Sequence, residues 1–112
     1  MPKMKMIALT TPLPGKEDEF HDWYQNAHLP ELVNGLGMEG AQRYELVAKL
    51  MGSDENQYLA IYDIDADDPG AFMAKMGELS QSGQMTPPTT QDMATTYTAL
   101  FAELDERVTP KG

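Results

Sequence analysis

The sequence predicts a single α+β domain in which two helices cover one face of a four-stranded antiparallel sheet. Two observations predict this class. Segments typical of strands and of helices follow one another in the order β-α-β-β-α-β, and 112 residues are enough for one domain only. We assign this domain to residues 1–112, with a core at about 4–106 and a C-terminal tail at 108–112.

The first half of the chain predicts one strand and one long helix. Residues 4–11 are apolar without helical spacing and stop at a proline-rich turn, 12–15, which is typical of a strand. The segment 16–32 opens with three carboxylates, which the positive end of a helix dipole favours. Pro30 predicts a kink in this helix or its end, with one more turn at 31–34.

The second half predicts a hairpin and, at its end, a long last strand. Residues 41–51 and 57–64 read as strands joined by a polar turn at 52–56, so we expect them to pair. A loop at 84–92 contains two adjacent prolines and is interpreted as a surface connector, with a lid over a cleft as the alternative. Residues 93–107 are rich in Thr, Tyr and Phe, which favour a strand.

Between these strands lies a second predicted helix. Asp67 or Asp68 is the expected N-cap, Pro69 suits the first turn, and residues 82–83 end the helix. Its apolar side chains recur at helical spacing and are Phe72, Met73, Met76 and Leu79. The complete element order is that of the ferredoxin-like split βαβ fold.

The composition argues against several classes of function. With 18 acidic and 8 basic residues the formal net charge is −10, which disfavours binding to nucleic acid or to an anionic membrane surface. The absence of cysteine excludes disulfides, thiolate metal sites and a cysteine nucleophile. The N-terminal apolar segment is too short for a signal peptide or a membrane span, so we predict a cytoplasmic protein.

Both faces of the predicted sheet are apolar. In the last strand Tyr97, Ala99 and Phe101 point one way, whereas Leu100 and Ala102 point the other way. A sheet with one face in water normally alternates apolar and polar residues. Helices can cover one face, and we expect the sheet of an identical chain to cover the other, which predicts a homodimer. The alternative is a monomer with an open, mildly apolar face.

The first helix carries two stripes of side chains at helical spacing. The apolar stripe consists of Phe20, Trp23 and Ala27. The polar stripe beside it consists of Glu17, His21, Tyr24 and His28. Because Tyr24 and His28 are four residues apart, their side chains can touch. We expect the polar stripe to lie where the helices meet the sheet, inside a cleft.

These residue types predict proton transfer. Histidine exchanges protons near neutral pH, so His28 is the candidate general base or acid, and Tyr24 would orient it. His21 or Glu17 would assist from the rim of the cleft. Plain structural interpretations stay open, since His28 could cap the helix end, His21 could be solvated and Tyr24 could lie at the core edge. The two histidines lack the spacing of zinc ligands, so no metal site is predicted.

Two motifs stand out on the first helix and the strand after it. They are Phe20-x-x-Trp23-Tyr24-x-x-x-His28-Leu29-Pro30 and, following a glycine-rich turn, Ala41-Gln42-Arg43-Tyr44. In these motifs the chain resembles the dimeric α/β barrel superfamily, and within it the EthD-like and HapK-like proteins. The resemblance implies a ferredoxin-like protomer, sheet-to-sheet dimerisation and a pocket between helices and sheet. Its motif positions here are Tyr24, His28 and Pro30, with Trp23 and Phe20 as pocket or core wall.

The superfamily includes cofactor-free monooxygenases, isomerases, polyketide cyclases and lyases, so the resemblance implies no single reaction. Our leading hypothesis is an isomerase, cyclase or lyase that acts on a small hydrophobic, aromatic or polyketide-like molecule without a metal or a dissociable cofactor. A cofactor-free monooxygenase is a variant of it. A binding or accessory protein for such a molecule and a purely structural dimer are the alternatives. The candidate substrate contacts are Trp23, Phe20, Glu17, Tyr44, Met73 and Met76.

Overall fold

The computed structural model describes residues 3–111 as one open sheet with helices on one face. Its elements are β1 Lys3–Thr10, α1 Glu17–Trp23, a π-helical segment Tyr24–His28, α2 Leu29–Leu36, β2 Gly40–Glu45, β3 Tyr58–Asp65, α3 Pro69–Gln81 and β4 Tyr97–Ala102. The strand order is β2-β3-β1-β4, and all neighbouring strands are antiparallel. The predicted ferredoxin-like α+β fold is confirmed.

The core lies between the helices and one face of the sheet. Alternate residues of a strand point to opposite faces, so the strand register decides which side chains meet the helices. The buried apolar residues of the sheet are Met4, Met6, Ala8, Ala60, Tyr62 and Ile64. Those of the helices are Phe20, Tyr24, Leu29, Leu32, Leu36 and Phe72. Phe20 is completely shielded from solvent.

The helical segment does not end at Pro30, so of the two predicted alternatives the helix end is wrong, and the helix is instead irregular just before this proline. The N–H of Leu29 bonds to the carbonyl of Tyr24, five residues earlier, which is the hydrogen bond of a π-helical turn. Pro30 therefore enters the first turn of α2, where its missing N–H costs little. The chain stays helical to Leu36, and Gly37 ends it with a left-handed φ of 64°.

Two predicted strands are shorter in the structure. The pairing of the predicted hairpin is confirmed, from Gly40 opposite Asp63 to Glu45 opposite Tyr58. Residues 46–57 then form a long connection instead of continuing β2, and a last bond from the Leu46 N–H to the Gln57 carbonyl, at 2.8 Å, closes the pairing with β3. Likewise, β4 covers Tyr97–Ala102 and not 93–107, because β1 pairs with no more than these six residues.

Helix α3 begins at the cap that the sequence predicts. The Asp68 side chain accepts hydrogen bonds from the N–H groups of Gly70 and Ala71, at 2.9 and 3.3 Å. These donors have no partner within a helix, so the carboxylate stabilises the first turn.

Within residues 3–111, no helix is long and apolar enough to cross a membrane.

We expect Asp68→Ala to lower the free energy of unfolding by about 1 kcal/mol, because it removes the acceptor of both bonds. Urea denaturation followed by circular dichroism measures this difference. Asp67→Ala is the matched control, since it removes the same charge from an exposed neighbour that precedes the cap. Equal effects of the two substitutions would show that charge, and not capping, is responsible.

Candidate functional site

A cavity of about 260 Å³ lies where the helical layer meets the sheet. The sheet contributes its floor through Met6, Thr10 and Tyr62. The helices contribute one wall through Trp23, Tyr24, His28, Leu32 and Met76. The segment before β4 contributes the remaining wall through Met85, Pro88, Gln91, Met93 and Thr96. A second depression adjoins it, with Trp23, His28 and Met85 in both linings and Thr86 and Pro87 in its own lining only.

Four of the residues singled out in the sequence meet at this cavity. Trp23, Tyr24 and His28 line it from the first helical stretch, and Met76 lines it from α3. The flank of the helix that carries Tyr24 and His28 therefore faces a hollow. The helical spacing predicted the contact between these two rings, whose centroids are 4.9 Å apart.

Phe20 and the remaining stripe residues lie elsewhere. Phe20 packs inside the core and is not among the residues that line the cavity. His21 sits on the other flank of the helix, edge-on to the Tyr58 ring at 4.6 Å. Glu17 is exposed at the start of α1, where its carboxylate accepts a hydrogen bond from the Gly15 N–H at 3.3 Å. The structure thus separates Glu17 and His21 from His28.

Tyr44 and Met73 also lie outside the cavity. Tyr44 pairs with Leu59, and both point to the sheet face that the helices leave open. Met73 follows the buried Phe72 on α3 and is 57% exposed, because neighbouring helical positions are about 100° apart around the axis. Helical spacing placed Met73 in the apolar stripe, but the core contacts only the side of α3 that carries Phe72, Met76 and Leu79.

His28 is held between two aromatic rings. Its imidazole stacks on the Trp23 ring, with centroids 4.6 Å apart and an angle of 26° between the planes. Its Nδ1 atom is buried and has no hydrogen-bond partner among residues 3–111. Burial lowers the pKa of His28 to about 4, although the charge of Glu31 acts in the opposite direction. At neutral pH the imidazole is therefore uncharged, and one of its ring nitrogens can accept a hydrogen bond.

Two phenol groups line the same cavity as this imidazole, and the Tyr24 ring contacts it. The hydroxyl oxygens of Tyr24 and Tyr62 are 3.3 Å apart, so one hydroxyl can donate to the other. Burial raises the pKa of both phenols, and the positive charge of Arg43 only partly offsets this in each case. Both side chains keep their protons at neutral pH. The pair can accordingly offer one O–H to an oxygen atom of a ligand.

The loop at 84–92 forms a wall of the cavity. The N–H and hydroxyl of Thr86 donate to the Glu31 carboxylate at 3.0 and 2.7 Å, and Trp23 Nε1 donates to the Thr86 carbonyl at 3.2 Å. Farther along, the Leu13 N–H donates to the carbonyl of Thr90 at 2.8 Å. These bonds tie the loop to the helices and to the turn after β1, so it is more than a connector.

Sequence reasoning missed several polar residues of the cavity. In the sequence Tyr62 resembles the other apolar residues of its strand. Its pairing with Met6 and its contact with the Tyr24 hydroxyl place it in the site. Thr10, Gln91 and Thr96 carried no periodic signal, because the last two lie outside regular structure.

Residues 3–111 contain no cluster of three or more histidine, aspartate or glutamate side chains arranged to hold a metal ion.

Fold and cavity together define a ferredoxin-like α+β protein with a small-molecule-sized hollow between helices and sheet. No protein-family model matches the sequence, and no curated protein matches it either.

Two solved structures do match the fold. An ethyl tert-butyl ether D (EthD) family protein from Bacillus halodurans C-125 superposes with a TM-score of 0.51 at 18% identity, over 93% of this chain and all of that one. HapK from Hahella chejuensis superposes with a TM-score of 0.51 at 15% identity, over the full length of both chains. The expected resemblance to EthD-like and HapK-like proteins is confirmed at the level of the fold.

Proposed function

We propose that this protein is an enzyme that moves a proton on a small hydrophobic, aromatic or polyketide-like metabolite bound in the cavity. His28 is the general base in this proposal, and no metal or dissociable cofactor takes part. The observation that carries the proposal is the buried, unpartnered Nδ1 of a neutral imidazole in the same cavity as two protonated phenols. A buried polar atom without a partner costs free energy, which a ligand can recover.

The chemistry supported best is removal of a proton next to a carbonyl group. His28 would take the proton, and the hydroxyl pair of Tyr24 and Tyr62 would donate a hydrogen bond to the carbonyl oxygen as it becomes an enolate. Return of the proton to another atom gives an isomerase, whereas attack by the enolate carbon gives a cyclase. Cleavage of a neighbouring bond gives a lyase.

The cavity favours a flat apolar ligand. Trp23, Leu32 and four methionines contribute apolar surface to its wall; the methionines are Met6, Met76, Met85 and Met93. Methionine is flexible and polarisable, and it adapts to the outline of an aromatic ring. A volume of about 260 Å³ lies at the small end of ligand pockets and suits a molecule of one or two rings.

A binding or accessory role is the second candidate, and one observation favours it. The carboxylate nearest in sequence to His28, that of Glu31, accepts hydrogen bonds from Thr86. No carboxylate among residues 3–111 bonds to His28 Nδ1, so nothing there fixes the tautomer of the imidazole as in a catalytic relay. A pocket that only holds a metabolite needs no such relay.

Hydrogen–deuterium exchange next to a carbonyl tests the enzyme proposal without knowledge of the natural substrate. We expect the protein to accelerate exchange at the methyl group of 2-acetylnaphthalene in D₂O, followed by proton NMR, because deprotonation is the proposed first step. Trp23, the single tryptophan, lines the cavity, so its fluorescence should change saturably with the same ketone.

Saturable fluorescence change without faster exchange would contradict the enzyme and support the binding protein. Absence of both the fluorescence change and the faster exchange would contradict the enzyme and the binding protein alike. Oxygen consumption during exchange would assign the reaction to the cofactor-free monooxygenase variant, in which the carbanion reacts with O₂.

We further propose that the chain forms a homodimer through the open face of the sheet. Strand register places eight apolar side chains on that face, namely Ile7, Leu9, Tyr44, Leu59, Ile61, Tyr97, Ala99 and Phe101. At one end of the face the cations Lys3 and Lys5 lie beside the anions Asp63 and Asp65. A surface with both signs of charge around an apolar centre is complementary to a second copy of itself across a two-fold axis.

Phe101→Glu is expected to raise the dimer dissociation constant at least about tenfold, because each dimer would bury two new charges. Sedimentation equilibrium measures this constant. Met73→Glu is the matched control, since Met73 is exposed on α3 at 57% and Phe101 on the sheet at 49%. A monomeric wild-type protein would contradict the dimer and leave the cavity proposal intact.

A further inference from the structure

A second group of polar side chains lies on the flank of α1 that faces away from the cavity. Arg43 extends from β2 across two aromatic rings, with its Cζ atom 5.7 Å from the ring centre of Phe20 and 4.9 Å from that of Tyr24. Its Nη2 atom is 2.8 Å from Nδ1 of His21. The ring of Tyr24 therefore stands between Arg43 and the cavity that His28 lines.

The contact between Arg43 and His21 determines the tautomer of the histidine. A guanidinium group can only donate hydrogen bonds, so Nδ1 of His21 accepts. The N–H group of His21 in this tautomer is at Nε2. Arg43 and His21 together present N–H groups, which bind an acceptor and repel a cation.

Arg43 has no anionic partner in the part of the chain that the structure describes. The five ion pairs found among residues 3–111 all involve lysines. Burial lowers the pKa of Arg43, which means that its surroundings oppose the charge. Contact with aromatic rings offsets part of such a cost, and an anion placed on the guanidinium would offset more.

A hollow of about 210 Å³ opens beside these donors. Its lining consists of His21, Arg43, Tyr44, Glu45 and Tyr58. Tyr58 supplies aromatic surface on the side of the sheet that carries Arg43, and the planar guanidinium matches a carboxylate in a two-pronged hydrogen bond. Glu45 at the same hollow disfavours ligands with more than one negative charge.

We propose that this hollow binds a small aromatic monocarboxylate, distinct from the ligand of the cavity. Arg43 and His21 hold the carboxylate, and the ring lies against Tyr58. The site does not depend on the proposed proton transfer, because the Tyr24 ring separates it from His28.

Titration of the intact protein with benzoate, followed by ¹H–¹⁵N NMR of backbone and side-chain groups, tests this site. We expect saturable shifts at His21 and Arg43. Arg43→Gln should weaken benzoate binding at least about tenfold, and Arg43→Lys should weaken it too, because an ammonium cannot form the two-pronged bond. Glu45→Gln should strengthen binding several-fold by removing the nearby negative charge. Lys49→Gln is the control, since Lys49 is a cation outside the hollow.

The outcomes separate this site from its rivals. Methyl benzoate, which has no charge, should leave His21 and Arg43 unshifted. Equal affinity of wild type and Arg43→Lys for benzoate, or shifts confined to the residues around His28, would overturn the proposal. Inorganic phosphate that competes as strongly as benzoate would replace it with an unselective anion site. Loss of benzoate binding as the protein concentration rises would show that a carboxylate of a second copy of the chain occupies Arg43. This outcome would also overturn the proposal.

Discussion

His28→Gln is expected to slow exchange of the proton next to a carbonyl by about 10²–10⁴-fold, which is the usual contribution of a positioned general base. Glutamine has a similar length and can form hydrogen bonds, but it cannot take up a proton. Because the Trp23 ring and the methionine wall stay in place, affinity for the ketone should change little. The pair of measurements therefore separates chemistry from binding.

Two further observations make this test specific for the imidazole. Because the pKa of His28 is about 4, the exchange rate of the wild type should rise with pH up to about 5 and stay flat toward pH 7. His28→Ala should regain part of the lost rate when free imidazole is added, since the substitution leaves space for it. An unchanged rate in His28→Gln would exclude this residue as the base and favour the binding protein.

Stability in acid is expected to depend strongly on the same side chain. Burial depresses the pKa of His28 from 6.5 to about 4 in the folded protein. Above pH 6.5 the imidazole is neutral in both states and has no effect. Between pH 6.5 and pH 4 the unfolded chain binds a proton that the folded protein does not bind, so stability falls as the pH falls. At 1.36 kcal/mol per pKa unit the full loss is roughly 3 kcal/mol.

The carboxylates of the chain also titrate in this range, so the contribution of His28 must be isolated as a difference. Urea denaturation of the wild type and of His28→Gln at pH 7, 5.5 and 4 gives this difference directly. We expect the variant to lose roughly 3 kcal/mol less than the wild type between pH 7 and pH 4. Parallel pH dependences in the two proteins would show that His28 is solvated and titrates at an ordinary pKa.

Several local features were readable from the sequence. The cap of α3 followed from the aspartates and the proline before its apolar stripe, and the structure has it at Asp68. The alternation of β4 followed from its period of two, and strand pairing places Tyr97, Ala99 and Phe101 on one face. These features depend on residues within a few positions of each other, so local chemistry determines them.

Boundaries that depend on distant partners were not readable. The apolar residues after β2 resemble a continued strand, yet Val47, Leu50 and Met51 are more than 90% exposed, because the ladder with β3 has ended. The helix continues past Pro30 because a π-helical turn precedes this proline, and its hydrogen bond joins Leu29 to Tyr24.

The candidate site combines both kinds of information. The sequence by itself determined the fold class, the order of the elements and the contact between Tyr24 and His28, since spacing along one helix is a local property. Only the tertiary structure decided that His28 faces a cavity while His21 faces Arg43, and that Tyr62 completes the hydroxyl pair. The direction in which a side chain points, and the residues that it contacts, depend on how the helices pack on the sheet. Residues far apart in the chain determine that packing.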